Sequence, residues 1–103
     1  MDDKDFKALH GYFLEDLSVG QEEIMYKKVS SSDIDNFSEI TGDCNPVHIN
    51  EDFAKKTIFK KIIAHGFLTA SFISAIIGTK LPGPGCIYLK QSLKFLAPVY
   101  VGD

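Results

Sequence analysis

Twelve consecutive residues, Gly66 to Ile77 (GFLTASFISAII), carry no charge and are apolar or small on every side. A helix of that kind has no face to offer to water, so other parts of the chain have to wrap it. It also falls short of the roughly 20 apolar residues needed to cross a bilayer, so it reads as a core helix and no membrane association is expected. The chain of 103 residues has the length of one small domain, 1–103, and the 45% apolar and 24% charged content is ordinary for a folded protein. A net charge of −3 argues against a nucleic-acid partner. Cys44 and Cys86 match no zinc or redox spacing, and the acidic start MDDKDFKALHGYFLEDL lacks the order of a signal peptide. A reduced, cytoplasmic setting is expected.

No repeat, low-complexity segment or linker divides the sequence. Glu22 to Val29 is a weak strand candidate. The serines that follow offer a helix cap at Ser30 with Asp33 in the first turn, and Ile34, Phe37, Ser38 and Thr41 share a helical face that ends at Gly42, a residue suited to a left-handed cap. Asn50 caps a second short helix, Glu51 to Lys56. Beyond the charge-free helix, which is expected to be buried all round and to end at Gly78, LPGPG (Leu81 to Gly85) forms turns. Cys86 to Leu96 then alternates Ile87, Leu89, Leu93 and Phe95 against Tyr88, Lys90, Ser92 and Lys94, the pattern of a half-buried strand. Val99 to Val101 starts another.

Two segments carry chemistry. In ITGDCNPVHIN (Ile40 to Asn50), Pro46 forbids helical geometry at Asn45, and the chain swings so that His48 can face back toward Asp43. One reading is an Asx-type turn with a surface histidine. The other is a pair of titratable groups sharing one small space. In IIAHGFLTASFIS (Ile62 to Ser74), His65-Gly66 stands at the start of the core helix, where free backbone N–H groups and the helix dipole can receive an anionic oxygen. Gly66 fits a tight helix start chosen for packing equally well. Together the segments suit proton transfer next to a carbonyl.

These residues resemble a known family. FSEITGDxNPVH, here Phe37 to His48, is similar to the hydratase 2 motif of the MaoC-like, (R)-specific enoyl-CoA hydratases, AHG before an apolar helix is the next landmark, and Leu81 to Asp103 is similar to the stretch that follows in those proteins. The resemblance implies an α+β hot-dog fold, an antiparallel sheet wrapped round one central helix. It implies hydration of trans-2-enoyl-CoA to (R)-3-hydroxyacyl-CoA, or the reverse, with Asp43 and His48 as the catalytic pair and Asn45 orienting the water. Gly66 would supply the oxyanion N–H, and Ser74 would support the aspartate. No cofactor is implied, since coenzyme A is part of the acyl-CoA substrate. Hot-dog domains pair their sheets, so a homodimer or higher oligomer is expected.

Family members continue past the Gly-Asp pair into further strands, so the domain is expected to be C-terminally incomplete and of marginal stability. That feature keeps a non-catalytic acyl-CoA-binding or partner-binding module in view, beside a hot-dog thioesterase. Metal is not expected, since Asp43, His48 and His65 show no HxD or HxxxH spacing. Ser71 and Ser74 lack the G-x-S-x-G elbow of a nucleophile. Lys55, Lys56, Lys60 and Lys61 could lie near coenzyme A phosphates, though such a run is more often a solvated face.

Overall fold

Ser30 fixes where the helix leading into the polar bend begins. In the computed structural model, which describes residues 1–103, the Ser30 hydroxyl accepts from the Asp33 N–H at 3.1 Å and the Asp33 carboxylate accepts from the Ser30 N–H at 2.9 Å. This reciprocal cap uses donors that a helix start leaves unpaired. Lys27 adds an ion pair to Asp33 at 3.2 Å. The Ser30 backbone N–H foremost, then the Ser30 side chain and Lys27, hold the Asp33 carboxyl below the ordinary carboxylate range. A carboxyl pKa lowered by folding contributes stability above its unfolded value and loses it as pH falls through the folded value, so this cap weakens only on acidification.

The helix so started, α2 (Ser31–Thr41), follows α1 (Asp3–Leu9) and a 3₁₀ turn at Leu14–Asp16. Gly42 ends it in the left-handed region at φ 78°, as the sequence pattern requires. A single-turn helix that the pattern does not announce, α3 (Pro46–Ile49), comes next, with Pro46 at its first position. Asn50 caps α4 (Glu51–Lys55), its side chain accepting from the Phe53 N–H at 3.0 Å. The apolar helix α5 (Gly66–Thr79) runs through Gly78 rather than stopping there.

The chain falls into two compact units. One comprises Lys27–Ser71 with Leu93–Asp103 and holds every buried apolar side chain: Val29, Ile34, Val47, Ala54, Ala64 and Leu68. Its closing segment is strand-like. Val29 donates to Asp103 and accepts from Gly102, the Ala64 N–H donates to the Val99 carbonyl, and Ile63 forms an antiparallel bridge with Tyr100. Residues 99–103 therefore lie between Val29 and the segment before α5.

The other unit, Met1–Tyr26 with Phe72–Ser92, is built round the Pro-Gly turn. Gly11 and Tyr12 donate to the Pro84 and Pro82 carbonyls at 2.8 and 2.7 Å, and the Gly83 N–H donates to Ile77 at 2.9 Å. Gly83 is its one buried residue. A side chain on Gly11 would collide with the Pro82 carbonyl and Gly83, so only glycine fits there.

Three expectations need correction. Neither Glu22–Val29 nor Cys86–Leu96 forms a strand, and the bridge at Ile63–Tyr100 is the sole ladder pairing. A strand exists only where its N–H and C=O groups meet a partner edge, and within these two segments only Val29 meets one, at Gly102 and Asp103. The apolar side of Cys86–Leu96 is accordingly open, with Ile87, Leu89 and Phe95 exposed. For the same reason α5 is not buried all round: Leu68 is its only buried residue. No helix is long and apolar enough to cross a membrane.

Gly42 is a clean test of this local chemistry, because a Cβ there would meet no atom within 4 Å. Gly42→Ala therefore introduces backbone strain alone and is expected to cost about 1–2 kcal/mol. Urea denaturation followed by helical circular dichroism measures it.

Candidate active site

The bend after α2 is built from turn chemistry, and the turn chemistry delivers the titratable groups. The Asp43 N–H donates to the Thr41 hydroxyl at 3.1 Å, the Asp43 carboxylate accepts from the Asn45 N–H at 3.2 Å, and the Asn45 carboxamide oxygen accepts from the Val47 N–H at 3.2 Å. Asx turn and functional bend are thus one structure. Asp43 stays exposed, whereas α3 carries His48 inward to 9% exposure. The His48 Nδ1–H donates to the Ile63 carbonyl at 2.6 Å. That bond fixes the ring and leaves Nε2 as the nitrogen free for chemistry.

His65, 3% exposed, is the third member of the group. Its Nε2 lies 3.0 Å from the Asp43 carbonyl and 3.1 Å from the Ser38 hydroxyl. A carbonyl only accepts, so this nitrogen carries a proton. The other ring nitrogen, Nδ1, is buried without a hydrogen-bond partner. The imidazoles of His48 and His65 stack with centroids 3.9 Å apart, and Phe37 tilts against the far ring at 4.8 Å. One side-chain donor or acceptor atom from each of Asp43, His48 and His65 lies within 4.8 Å of the others. Such a cluster is equipped to move protons. The same residue types can hold a cation, although His48 Nδ1 and His65 Nε2 are already engaged with backbone carbonyls.

His48 also lines an apolar cavity of about 350 Å³, shared with Phe59, Gly66, Phe67, Phe95 and Val99. At its wall α5 begins. The Leu68 and Thr69 N–H groups turn back to the His65 carbonyl at 3.1 and 3.4 Å, which leaves those of Gly66 and Phe67 outside the helical ladder. A Cβ on Gly66 would stand 2.8 Å from the Phe95 ring. The glycine therefore permits close approach to this stretch of backbone.

Of the residues singled out from sequence, Asp43 and His48 share the cluster, and His48 and Gly66 share the cavity. Asn45 uses its carboxamide oxygen on the start of α3. Ser74 falls in the part of α5 that belongs to the other unit and is exposed. In the sequence His65 stands out only as a possible metal ligand and as a marker of the helix start. Its place directly before the glycine of an apolar helix was the available signal for a buried role.

Comparison with known proteins gives this geometry a context. Residues 19–103 match the model of the MaoC like domain. The chain belongs to the MaoC-like domain family. It is 56% identical over 91 residues to a 3-hydroxybutyryl-CoA dehydratase of Methylorubrum extorquens, covering 88% of this chain and 58% of that protein. It is 54% identical over 92 residues to an (R)-specific enoyl-CoA hydratase of Rhodospirillum rubrum, covering 89% and 64%. Among solved structures, the (R)-hydratase of A. caviae involved in PHA biosynthesis matches with a TM-score of 0.82 at 44% identity, over 84% of this chain and 66% of that one. The family's hot-dog fold is the fold of this chain. The chain spans 58% and 64% of the length of the two curated relatives.

The contact at Gly66 carries a prediction. Phe95 is 56% exposed and can swing away from an added methyl, so Gly66→Ala is expected to cost under about 1 kcal/mol while displacing the Phe95 ring. Aromatic NMR shifts should move at Phe95 and hold at the His48–His65 stack.

Proposed function

We propose that this MaoC-like chain carries the reaction centre of an (R)-specific enoyl-CoA hydratase, adding water across the 2,3 double bond of a trans-2-enoyl-CoA or removing it from the (R)-3-hydroxyacyl-CoA. The observation that carries the reading is the approach of Asp43 and His48 within one cluster, with His48 and Gly66 on a common apolar cavity. The names borne by the relatives support the same chemistry.

In the forward direction the water oxygen bonds to C3 while the Asp43/His48 pair takes one water proton. The π electrons move toward C2 and the thioester oxygen, and C2 then takes a proton from the pair, so the centre ends in its starting charge state. Two close titratable groups share their protons, and the role belongs to the pair. The transient negative charge on the thioester oxygen would be received by the Gly66 N–H at the positive end of α5, where one lost donor typically costs about 3–4 kcal/mol of barrier. The carboxamide nitrogen of Asn45, its oxygen being committed to α3, is the group assigned to orient the water. Ser74 as support for Asp43 rests on the family motif alone. The free thiols of Cys44 and Cys86 suit a cytoplasmic enzyme, and exposed Ile40, Ile58, Ile87 and Leu89 suit a homodimer.

Loss of enoyl absorbance from crotonyl-CoA tests the reading. Asp43→Asn is the sharpest variant, because the carboxylate is exposed and its hydrogen bond to the Asn45 N–H can be kept by a carboxamide oxygen. Turnover is expected to fall by about 10²–10⁴ with the fold intact. Activity within threefold of the unaltered chain would assign the chemistry elsewhere. Release of free thiol would indicate hydrolysis, and tight crotonyl-CoA binding with no absorbance change would indicate a binding module.

A further inference from the structure

Lys55, Lys56, Lys60 and Lys61 read in sequence as an ordinary basic face. The fold sorts them. Lys55, Lys60 and Lys61 line a second cavity of about 300 Å³ together with Ser31, Glu51 and Tyr100. None of the three ammonium groups is in an ion pair with a carboxylate, Glu51 included. Three cations and one anion in one concavity leave a local positive excess in a chain of net charge −3.

Two of the lysines are also positioned, Lys60 through its backbone and Lys61 through its ammonium. Lys60 is the only residue other than glycine with a positive φ, 65°. Hydrogen bonds fix the turn that imposes this conformation: the Lys60 N–H donates to the Thr57 carbonyl at 3.2 Å, and the Thr57 hydroxyl donates to Ala54 and accepts from Phe59. Residues kept in sparsely populated backbone regions concentrate at sites where position matters. Lys61 extends its ammonium over the Tyr100 ring, 5.4 Å from the centroid, and the Tyr100 hydroxyl is fixed to the Phe59 carbonyl at 3.1 Å.

The cavity adjoins the apolar one. Ile62, Tyr100 and Val101 line the basic cavity, whereas their chain neighbours Ile63 and Val99 line the apolar cavity, so the Ile63–Tyr100 bridge is a wall common to both. A ligand with an acyl thioester at one end and several phosphates at the other matches this pair. Resting on the hydratase reading for the identity of that ligand, we propose that the Lys55/Lys60/Lys61 cavity binds the phosphorylated adenosine end of coenzyme A. The cavity thereby selects coenzyme A thioesters over carriers that lack the nucleotide. A volume of about 300 Å³ suits a compact, multiply charged group. Docking of a carrier protein would call for a broad patch of roughly 800 Å² per partner instead.

Calorimetry with adenosine 3′,5′-bisphosphate tests the proposal without turnover, with inorganic phosphate as the size control. The chain is expected to bind the bisphosphate more tightly than phosphate, and Lys60→Gly with Lys61→Gln to weaken it by about tenfold or more. Lys60→Gly removes the left-handed strain along with the charge, so an unchanged or raised urea midpoint will separate lost binding from lost fold. In parallel, the ratio of kcat/KM for crotonyl-CoA to that for crotonyl-pantetheine should fall toward one in the double variant. No bisphosphate binding, or binding that the double variant leaves intact, overturns the proposal, as does faster hydration of a carrier-protein thioester that the bisphosphate cannot inhibit. Lysine-dependent bisphosphate binding in a chain that hydrates no thioester upholds the cavity and removes the hydratase reading.

Discussion

The face-to-face contact of His48 and His65 holds the DxNPxH bend against the segment before α5. Each ring is tied by one nitrogen to a backbone carbonyl on a different segment, His48 to Ile63 and His65 to Asp43. Two imidazoles thus cross-link the bend after α2 and the short helix α3 to the segment before α5. Buried polar side chains usually cost stability unless each polar atom finds a partner. Here three of the four ring nitrogens are either bonded or belong to the ring that reaches the cavity, and only His65 Nδ1 is left without a partner in the interior. The stack therefore does two things at once: it packs like an apolar pair and it sets the direction of the ring that meets the cavity.

The same economy appears in the bend. Asp43 and Asn45 are both turn formers and candidate chemical groups, and the bonds that form the turn also orient the groups. A carboxylate held by a neighbouring N–H and an imidazole held by a carbonyl have little further freedom to lose. Preorganisation of this kind is where much of an enzyme's rate enhancement originates.

Local signals were legible from the sequence. Ser30, Asp33, Gly42 and Asn50 mark their helix ends because caps act through hydrogen bonds within a few residues. The DxNPxH bend was legible for the same reason, since Pro46 restricts its own neighbour. Alternation in Cys86–Leu96 describes a surface that fits a sheet, but pairing depends on a second edge distant in sequence, and no periodicity contains that information. The apolar character of α5 likewise tells what the helix requires, while the cover it receives depends on the rest of the chain. The site role of His65 is not legible in the sequence because its neighbour His48 is brought to it by tertiary packing. The lysines were visible as a run, yet only the turn at Thr57–Lys60 and the ring of Tyr100 distinguish three that converge from one that does not.

Val29 is hydrogen-bonded to Gly102 and Asp103, and Ala64 to Val99. The Val29 pairing joins the front of its unit to a segment made long after it and closes a far longer loop than the Ala64–Val99 pairing does. Entropy of closure makes such contacts late and slow compared with helix formation. During synthesis the DxNPxH bend and the start of α5 leave the ribosome well before residues 99–103 do. The bend and the helix start are therefore made before the segment that pairs with Val29 and Ala64. The interval of greatest exposure to chaperones, and to misassembly, is the one before residues 99–103 are free to pair with Val29 and Ala64.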